Sequence, residues 1–181
     1  MTDYGKNNCI ILVKDGQELK YKDEISGLKI EISGNNNKII LHHPITSQNC
    51  FINIKNDNAF VEIGSSTVIS DLYIVCGWGN KQMCKIGNGT TIYGKTQICL
   101  HEESSVLIGE DCMLSNSISI WASDGHSILD KETNKILNKP TKPLVIGNHV
   151  WIGEGVKITK NTTIHDNSVI AMGAVFGIIF L

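Results

Sequence analysis

The 181-residue sequence contains no arginine, only three prolines and few aromatic residues, which make up 6% of the chain. Without guanidinium groups, the protein has no side chain that grips a phosphate or a guanine base through two parallel hydrogen bonds. Sixteen lysines against eighteen acidic residues leave a net charge of −2, a balance that does not indicate a nucleic-acid-binding surface. We therefore expect no nucleic-acid partner.

Long apolar runs are also lacking. Residues 1–6 are polar and carry no signal-peptide core, and the longest late apolar run, residues 174–181, is far too short to span a bilayer. The six cysteines form neither a Cys-x-x-Cys pair nor a Cys/His spacing typical of zinc sites. These absences predict a cytoplasmic protein with no membrane span and with buried thiols rather than a disulfide framework.

Isoleucine is abundant, with 28 copies, and its spacing is regular. An aliphatic residue recurs at every sixth position in three series: Ile86, Ile92 and Ile98; Ile108, Leu114 and Ile120; and Ile146, Ile152, Ile158, Ile164 and Ile170. Glycine follows the aliphatic residue at positions 87, 109, 147 and 153, where we expect it to allow unusual backbone angles. The fourth residue after the aliphatic one is nearly always small or β-branched.

A six-residue period fits neither a helix nor simple strand alternation. It is typical of a short strand with one inward side chain followed by a turn, repeated three times in each triangular coil. Ile146 should then stack on Ile164, and Ile152 on Ile170. A meander of antiparallel strands would instead require alternation and irregularly spaced Asn-Gly turns. The pattern therefore favours an all-β, parallel β-helix.

The whole chain, residues 1–181, reads as a single domain. Residues 1–84 are expected to form irregular N-terminal coils, with strand-like pieces at 28–32, 38–41, 51–54, 61–63 and 71–75. Regular hexapeptide coils follow over 85–176, and residues 177–181 form an atypical end. Because the repeat stops after Ile120 and resumes at Ile146, a loop at about 126–143 should leave the coil. A second slip, between Ile98 and Ile108, should enlarge the corner that holds His101.

Three segments resemble a known family. Residues 86–91 (Ile-Gly-Asn-Gly-Thr-Thr) and 150–156 (Val-Trp-Ile-Gly-Glu-Gly-Val) are similar to the hexapeptide-repeat acyltransferases. Residues 123–128 (Ser-Asp-Gly-His-Ser-Ile) resemble the branch that O-acetylates bacterial surface polysaccharides. The resemblance implies a left-handed parallel β-helix, and a homotrimer with active sites between subunits. It also implies direct transfer of acetyl from acetyl-CoA to a sugar hydroxyl of a surface polysaccharide or its precursor, without a metal.

The resemblance also implies roles for individual residues. His126 is the general base, and the backbone N–H of Glu154 polarises the thioester carbonyl or stabilises the oxyanion. Trp151 lines the active site. Coenzyme A is bound at the corner of Gly153 and at a second corner, where the backbone pairs with the pantetheine arm, formed by Met172, Gly173 and Ala174.

Other candidate residues keep two or more interpretations. Trp121 and Trp151 should point outward, either as platforms for a sugar or cofactor or as trimer-packing residues. Asp124 orients the imidazole, contacts sugar hydroxyls or caps the turn. Lys157 and Lys160 attract the phosphates of coenzyme A or are solvated surface charges. His149 is interpreted as structural or peripheral.

The histidine spacing and the C-terminal sequence bear on alternative functions. Gamma-class carbonic anhydrases share the fold but need two zinc histidines five residues apart, a spacing that this sequence lacks. Family members continue beyond the position of Ala174 with residues that enclose coenzyme A, whereas this sequence reads Val-Phe-Gly-Ile-Ile-Phe-Leu there. Because of this departure, a second hypothesis is a non-catalytic β-helix that binds glycan or assembles with partners. An acetyltransferase for a small acceptor, such as an amino sugar, serine or a drug, is a third hypothesis.

Overall fold

The computed structural model describes residues 1–177 and consists of short strands. Residues 178–181, most of the atypical end expected at 177–181, lie outside the described residues. In chain order the strands are β1 (Thr2–Asp3), β2 (Cys9–Lys14), β3 (Gln17–Lys20), β4 (Leu28–Ile32), β5 (Lys38–His42), β6 (Ile45–Gln48), β7 (Cys50–Ile54), β8 (Phe60–Ile63), β9 (Thr67–Ser70), β10 (Leu72–Cys76), β11 (Met83–Ile86), β12 (Thr91–Ile92), β13 (Thr96–Leu100), β14 (Ser105–Ile108), β15 (Met113–Leu114), β16 (Ile118–Trp121), β17 (Leu144–Ile146), β18 (Trp151–Ile152), β19 (Lys157–Thr159), β20 (Thr163–Ile164), β21 (Val169–Ile170) and β22 (Val175–Phe176).

The strands form three sheets, which are the three sides of a prism. Sheet A contains eight strands in the order β1-β4-β7-β10-β13-β16-β19-β22. Sheet B contains β20-β17-β14-β11-β8-β5-β2-β3, and sheet C contains β21-β18-β15-β12-β9-β6. From β4 onward, successive strands along the chain pass from A to B to C, and each pairs in parallel with its neighbours in the adjacent coils. The predicted parallel β-helix is confirmed.

Stacked aliphatic side chains fill the interior. Ile146 pairs with Ile164 and Ile152 with Ile170, as the six-residue spacing predicts. In sheet A the ladder is continuous through Ile30, Ile52, Ile74, Ile98, Ile120, Ile158 and Phe176. Burying one isoleucine side chain is worth about 1.5–3 kcal/mol, so these ladders are the main source of stability.

The N-terminal coils use the same ladder with longer corners. Strands lie at or within one or two residues of all five predicted pieces, so those predictions are confirmed. The corners contain asparagines in the left-handed conformation, such as Asn36 (φ 55°) and Asn58 (φ 59°). The buried Asn37 side chain joins two coils, since it donates to the Asn56 carbonyl (2.9 Å) and accepts from the Ala59 N–H (2.7 Å).

Two local features differ from expectation. Strands β2 and β3 form an antiparallel hairpin around Asp15 and Gly16, both at positive φ, which fits the Asp-Gly preference of tight hairpin turns. The glycines after the aliphatic positions are required by close packing, and their φ angles are not left-handed. A Cβ on Gly109, for example, would lie 2.6 Å from the backbone of Gly147 in the next coil.

The cysteines are all free, as predicted, and five of them are buried, while Cys9 is exposed. Burial raises the pKa of the Cys76 thiol to about 12 and that of Cys99 to about 11, so these thiols remain protonated. None of the described residues forms a helix of the length and apolarity needed to cross a membrane.

Candidate active site

The loop between β16 and β17 leaves the prism where sheet A turns into sheet B, a position we call the A–B corner. His126 lies near the start of this loop with its side chain exposed. Within residues 1–177 its imidazole has no hydrogen-bond partner, whereas its backbone carbonyl accepts a hydrogen bond from Asn138 Nδ2 (2.7 Å). The loop therefore fixes the main chain of His126 and leaves the ring open to solvent.

Asn138 ties the two ends of the loop together. Its side chain is only 4% exposed, and its Nδ2 also donates to Asp124 Oδ2 (2.8 Å). Its Oδ1 accepts from the Ile128 N–H (2.7 Å). Because one amide bonds to residues on both sides of His126, the turn that carries the histidine is held in one conformation.

Lys160, one coil further along the chain, bonds to Asp124 as Asn138 does. Its side chain is 3% exposed, and its ammonium donates to Asp124 Oδ2 and to the Asn138 carbonyl. Both expectations for Lys160, a phosphate contact and a solvated surface charge, require an exposed ammonium, so its placement corrects them. The reason is that the loop folds over the corner and supplies the carboxylate and carbonyl that a buried ammonium needs.

Asp124 is the third member of this cluster. Its Oδ2 accepts from both Lys160 and Asn138, and among the described residues Asp124 makes no hydrogen bond to the His126 imidazole. The geometry assigns Asp124 an anchoring contact at the base of the loop, while its contact with a sugar hydroxyl stays a prediction. We call Asp124, Asn138 and Lys160 the loop clamp.

The far end of the loop is a small hairpin with an apolar surface. Leu129 and Ile136 form an isolated antiparallel bridge. Ile128, Leu129 and Leu137 are each more than half exposed, at 55%, 56% and 57%. Three large apolar side chains in one exposed loop are unusual for a surface segment and typical of an interaction site.

The other predicted residues cluster where sheet C turns into sheet A, which we call the C–A corner. Trp151 points outward from β18 and is 52% exposed. Glu154 follows two residues later, and among the described residues its N–H has no hydrogen-bond acceptor, although its carbonyl accepts from the Gly173 N–H (2.7 Å). Met172 and Gly173 are exposed in the adjacent coil, and Gly173 has a φ of 71°.

The remaining predicted residues flank these groups. Gly153 begins the C–A corner, where a Cβ would lie 2.6 Å from the Met172 nitrogen, and Ala174 closes the corner of the adjacent coil half-buried. Lys157 is exposed at the first position of β19, where it remains available to a phosphate. His149 is exposed at the preceding corner with a φ of 59°.

Sequence reasoning missed a column of rings at the A–B corner. Trp78, His101 and Trp121 come from three successive coils, and Trp121 points outward as predicted, with 38% exposure. Burial lowers the pKa of His101, an effect that Glu102 opposes and Lys55 reinforces. The available signal was the coil length, since 24 and then 22 residues separate equivalent positions in these coils.

Comparison with known proteins places this arrangement in a family. The model for the bacterial transferase hexapeptide (six repeats) matches residues 143–177. A polysialic acid O-acetyltransferase of Neisseria meningitidis is 30% identical over 132 residues, which cover 73% of this chain and 60% of that protein. A Saccharomyces cerevisiae protein, YJL218W, whose name assigns it provisionally to the acetyltransferases, is 31% identical over 76% of this chain and 68% of its own length.

The crystal structure of the polySia-specific acetyltransferase NeuO superposes with a TM-score of 0.84 at 27% identity, covering 98% of this chain and 77% of NeuO. The chain belongs to the hexapeptide-repeat acyltransferase family. This match confirms the predicted left-handed β-helix. The chain spans less than two thirds of the length of the Neisseria relative.

In this hexapeptide-repeat chain, the predicted catalytic groups lie at two different corners. His126 is at the A–B corner, and Glu154 with Met172 and Gly173 is at the C–A corner. The width of sheet A, roughly 15 Å for strands of four or five residues, separates the two corners. One chain therefore does not bring His126 and the Glu154 N–H to the same corner.

Proposed function

We propose that the protein transfers an acetyl group from acetyl-CoA to a sugar hydroxyl of a bacterial surface polysaccharide or its precursor. The family membership supports this proposal, and so do the names of the relatives, which describe acetyltransferases of sialic acid polymers. The observation that carries it is His126, an exposed imidazole whose backbone is fixed by the loop clamp.

His126 acts as the general base. Its free ring nitrogen takes the proton of the acceptor hydroxyl while the hydroxyl oxygen forms a bond to the thioester carbonyl carbon. The tetrahedral intermediate then breaks its carbon–sulfur bond, and the imidazolium returns the proton to the departing thiolate. Proton and electron pairs balance without a metal or a covalent enzyme intermediate.

The C–A corner holds the thioester. The Glu154 N–H, which has no acceptor within residues 1–177, donates to the carbonyl oxygen as it becomes an oxyanion. The exposed corner of Met172, Gly173 and Ala174 pairs with the pantetheine arm, and Lys157 attracts a phosphate of coenzyme A. Trp151 forms a wall of the site.

A homotrimer brings the two corners together. Sheet C presents an outward column of exposed side chains that includes Val68, Met113, Trp151 and Val169. The apolar loop tip is a second, different patch. Two unlike patches on one chain form a head-to-tail contact, which closes into a ring when the rotation permits. The loop of one subunit then carries His126 to the Trp151 face of the next.

Replacement of His126 tests the proposed chemistry. Purified protein is incubated with acetyl-CoA and oligosaccharides from bacterial capsules or O-antigens, and O-acetyl groups on the glycan are quantified by mass spectrometry. His126→Ala should retain the fold and lose about 10²- to 10⁴-fold in turnover, which is the usual contribution of a general base.

His149→Asn is the matched control. It also removes an exposed imidazole, and asparagine tolerates the left-handed backbone at that position. This variant should turn over at the wild-type rate. Near-normal turnover of His126→Ala would remove His126 from the mechanism, and absence of transfer to any glycan by the wild type would refute the proposed function.

A further inference from the structure

Three rings at the A–B corner form a continuous aromatic strip on successive coils. The centroids of Trp78 and His101 are 5.7 Å apart with an interplanar angle of 20°, and those of His101 and Trp121 are 6.3 Å apart with an angle of 43°. Trp78 is 47% exposed and Trp121 is 38% exposed. Since adjacent coils are separated by one strand spacing, the strip extends roughly 10 Å along the prism.

The middle ring, His101, packs directly on Gly77, which has no side chain to keep it away. A Cβ on Gly77 would lie 2.2 Å from both Nδ1 and Cε1 of His101, so the imidazole rests on the bare glycine backbone. The buried Nδ1 has no hydrogen-bond partner among the described residues. Because burial also lowers the pKa of His101, the ring is neutral near pH 7 and the strip has an uncharged surface.

A cavity of about 480 Å³ adjoins Trp78 and lies between the coil and the loop. Glu102 and Glu103 line it from the coil, and Ser127 and Lys139 line it from the loop. Ser127 directly follows His126 in sequence, so one lining residue of the cavity is the chain neighbour of the proposed base. An aromatic wall with hydroxyl, carboxylate and ammonium groups suits a ligand that has apolar faces and many hydroxyls.

We propose that this strip and cavity bind a stretch of a neutral saccharide chain, two or three hexose or N-acetylhexosamine units long. The inference rests on the proposed function, because it assigns the acceptor that His126 would deprotonate. The C–H face of a pyranose ring packs on an indole, while its hydroxyls reach the polar groups around the edge.

The charges at the subsite favour a neutral chain over a polyanion. Glu102 and Glu103 line the cavity from the coil and Lys139 lines it from the loop, while Lys81 lies 3.4 Å from Glu103. These four charges sum to zero, so the subsite has no net positive charge to attract a polyanion. The sequence has no arginine, so no guanidinium clamps an acidic polymer here. The carboxylate of Glu102, which accepts from Ser123 Oγ (2.8 Å), repels a sugar carboxylate.

Indole N–H signals in ¹⁵N NMR spectra report binding directly. The probes are chitotetraose, maltotetraose and a tetramer of α2,8-linked sialic acid, each added up to about 10 mM. We expect at least one neutral probe to shift the signals of Trp78 and Trp121. Trp78→Ala should weaken that affinity by about fivefold or more. Tyr93→Ala, which removes an aromatic ring that is 78% exposed elsewhere, should not change it.

The inference is overturned if no neutral probe moves the Trp78 signal, if only Trp151 responds, or if the sialic acid tetramer binds more tightly than both neutral probes. Repeating the titration with His126→Ala separates this inference from the proposed function, since binding does not need the base. Saccharide binding without any acetyl transfer by the wild type would refute the function and leave the subsite. Transfer to an oligosaccharide with an unchanged KM in Trp78→Ala would refute the subsite and leave the function.

Discussion

At the scale of the residue, the backbone N–H of Glu154 and its side-chain carboxylate can be tested separately. Its carboxylate is exposed, while its N–H has no acceptor in the described part of the chain. The φ angle of Glu154 is not left-handed, so the corner does not exclude proline on that ground. The oxyanion role that we propose for this residue belongs to the N–H alone.

Glu154→Pro and Glu154→Ala form a matched pair. Proline removes the N–H, and we expect about a 10²-fold loss in kcat, the usual effect of removing one oxyanion donor. Alanine keeps the N–H and should retain wild-type turnover. Steady-state kinetics with acetyl-CoA provide the measurement, with circular dichroism to check the fold. Equal activity of the two variants would show that the N–H has no part in catalysis.

His101 links the ring column to the pH dependence of stability. Its pKa in the folded protein is lowered by burial, so the unfolded chain binds the proton first as the pH falls. Stability from the neutral ring is therefore fully present above the ordinary histidine value of about 6.5 and is lost below it. Glu102, which acts in the opposite direction, and Lys55, which reinforces the effect, are the charged groups that modulate this titration.

His101→Phe keeps a ring over Gly77 and removes the titration. We expect the free energy of unfolding in urea to fall less between pH 7 and pH 5 in this variant than in the wild type. His149→Asn, which removes an exposed histidine, should follow the wild-type curve. A wild type and a His101→Phe variant with parallel curves would show that His101 titrates normally in the folded state.

At the scale of the element, the loop clamp determines where His126 lies. Asn138 bonds to the His126 carbonyl, the Ile128 N–H and Asp124, and Lys160 fixes the same carboxylate from the next coil. None of these groups needs to touch the substrate. We expect them to hold the base in position. A displaced base should lower kcat more than it weakens the binding of acetyl-CoA.

Asn138→Ala should lower kcat by about tenfold and leave the KM for acetyl-CoA within about twofold, because it loosens the turn that carries the base. Asn134→Gly is the control, since it removes an amide from the exposed loop tip and glycine suits the φ of 54° there. Cleavage of the loop by a protease should be faster in Asn138→Ala only. Unchanged kcat with faster cleavage would separate loop order from catalysis.

The sequence predicted those features of the fold that depend on local spacing alone. The six-residue spacing predicted the stacking of Ile146 on Ile164, because three six-residue steps return the chain to the same side of the prism in the next coil. It missed the hairpin at Asp15 and Gly16, although that dipeptide is a recognised turn signal. It also misjudged Lys160, because the burial of a lysine depends on a loop 22 residues away in sequence that supplies its partners.

At the scale of the whole molecule, the prism explains why the candidate site is divided. The chain turns one corner after each strand, so His126 after β16 and Glu154 before β19 lie at opposite edges of sheet A. The sequence predicted that His126 begins the loop and that Met172, Gly173 and Ala174 form a corner, but it did not predict that the A–B and C–A corners are separate. That separation depends on the order in which the three sheets follow one another. A second subunit is what the account requires to unite them.

Subunit mixing tests this requirement most directly. His126→Ala and Glu154→Pro chains, each with a different tag, are expressed together, and trimers that carry both tags are purified. In any mixed ring of three, one site combines the His126 of one chain with the Glu154 N–H of its neighbour, so activity should recover to about one third of the wild-type value. Activity no higher than that of the separate variants would contradict a site shared between subunits.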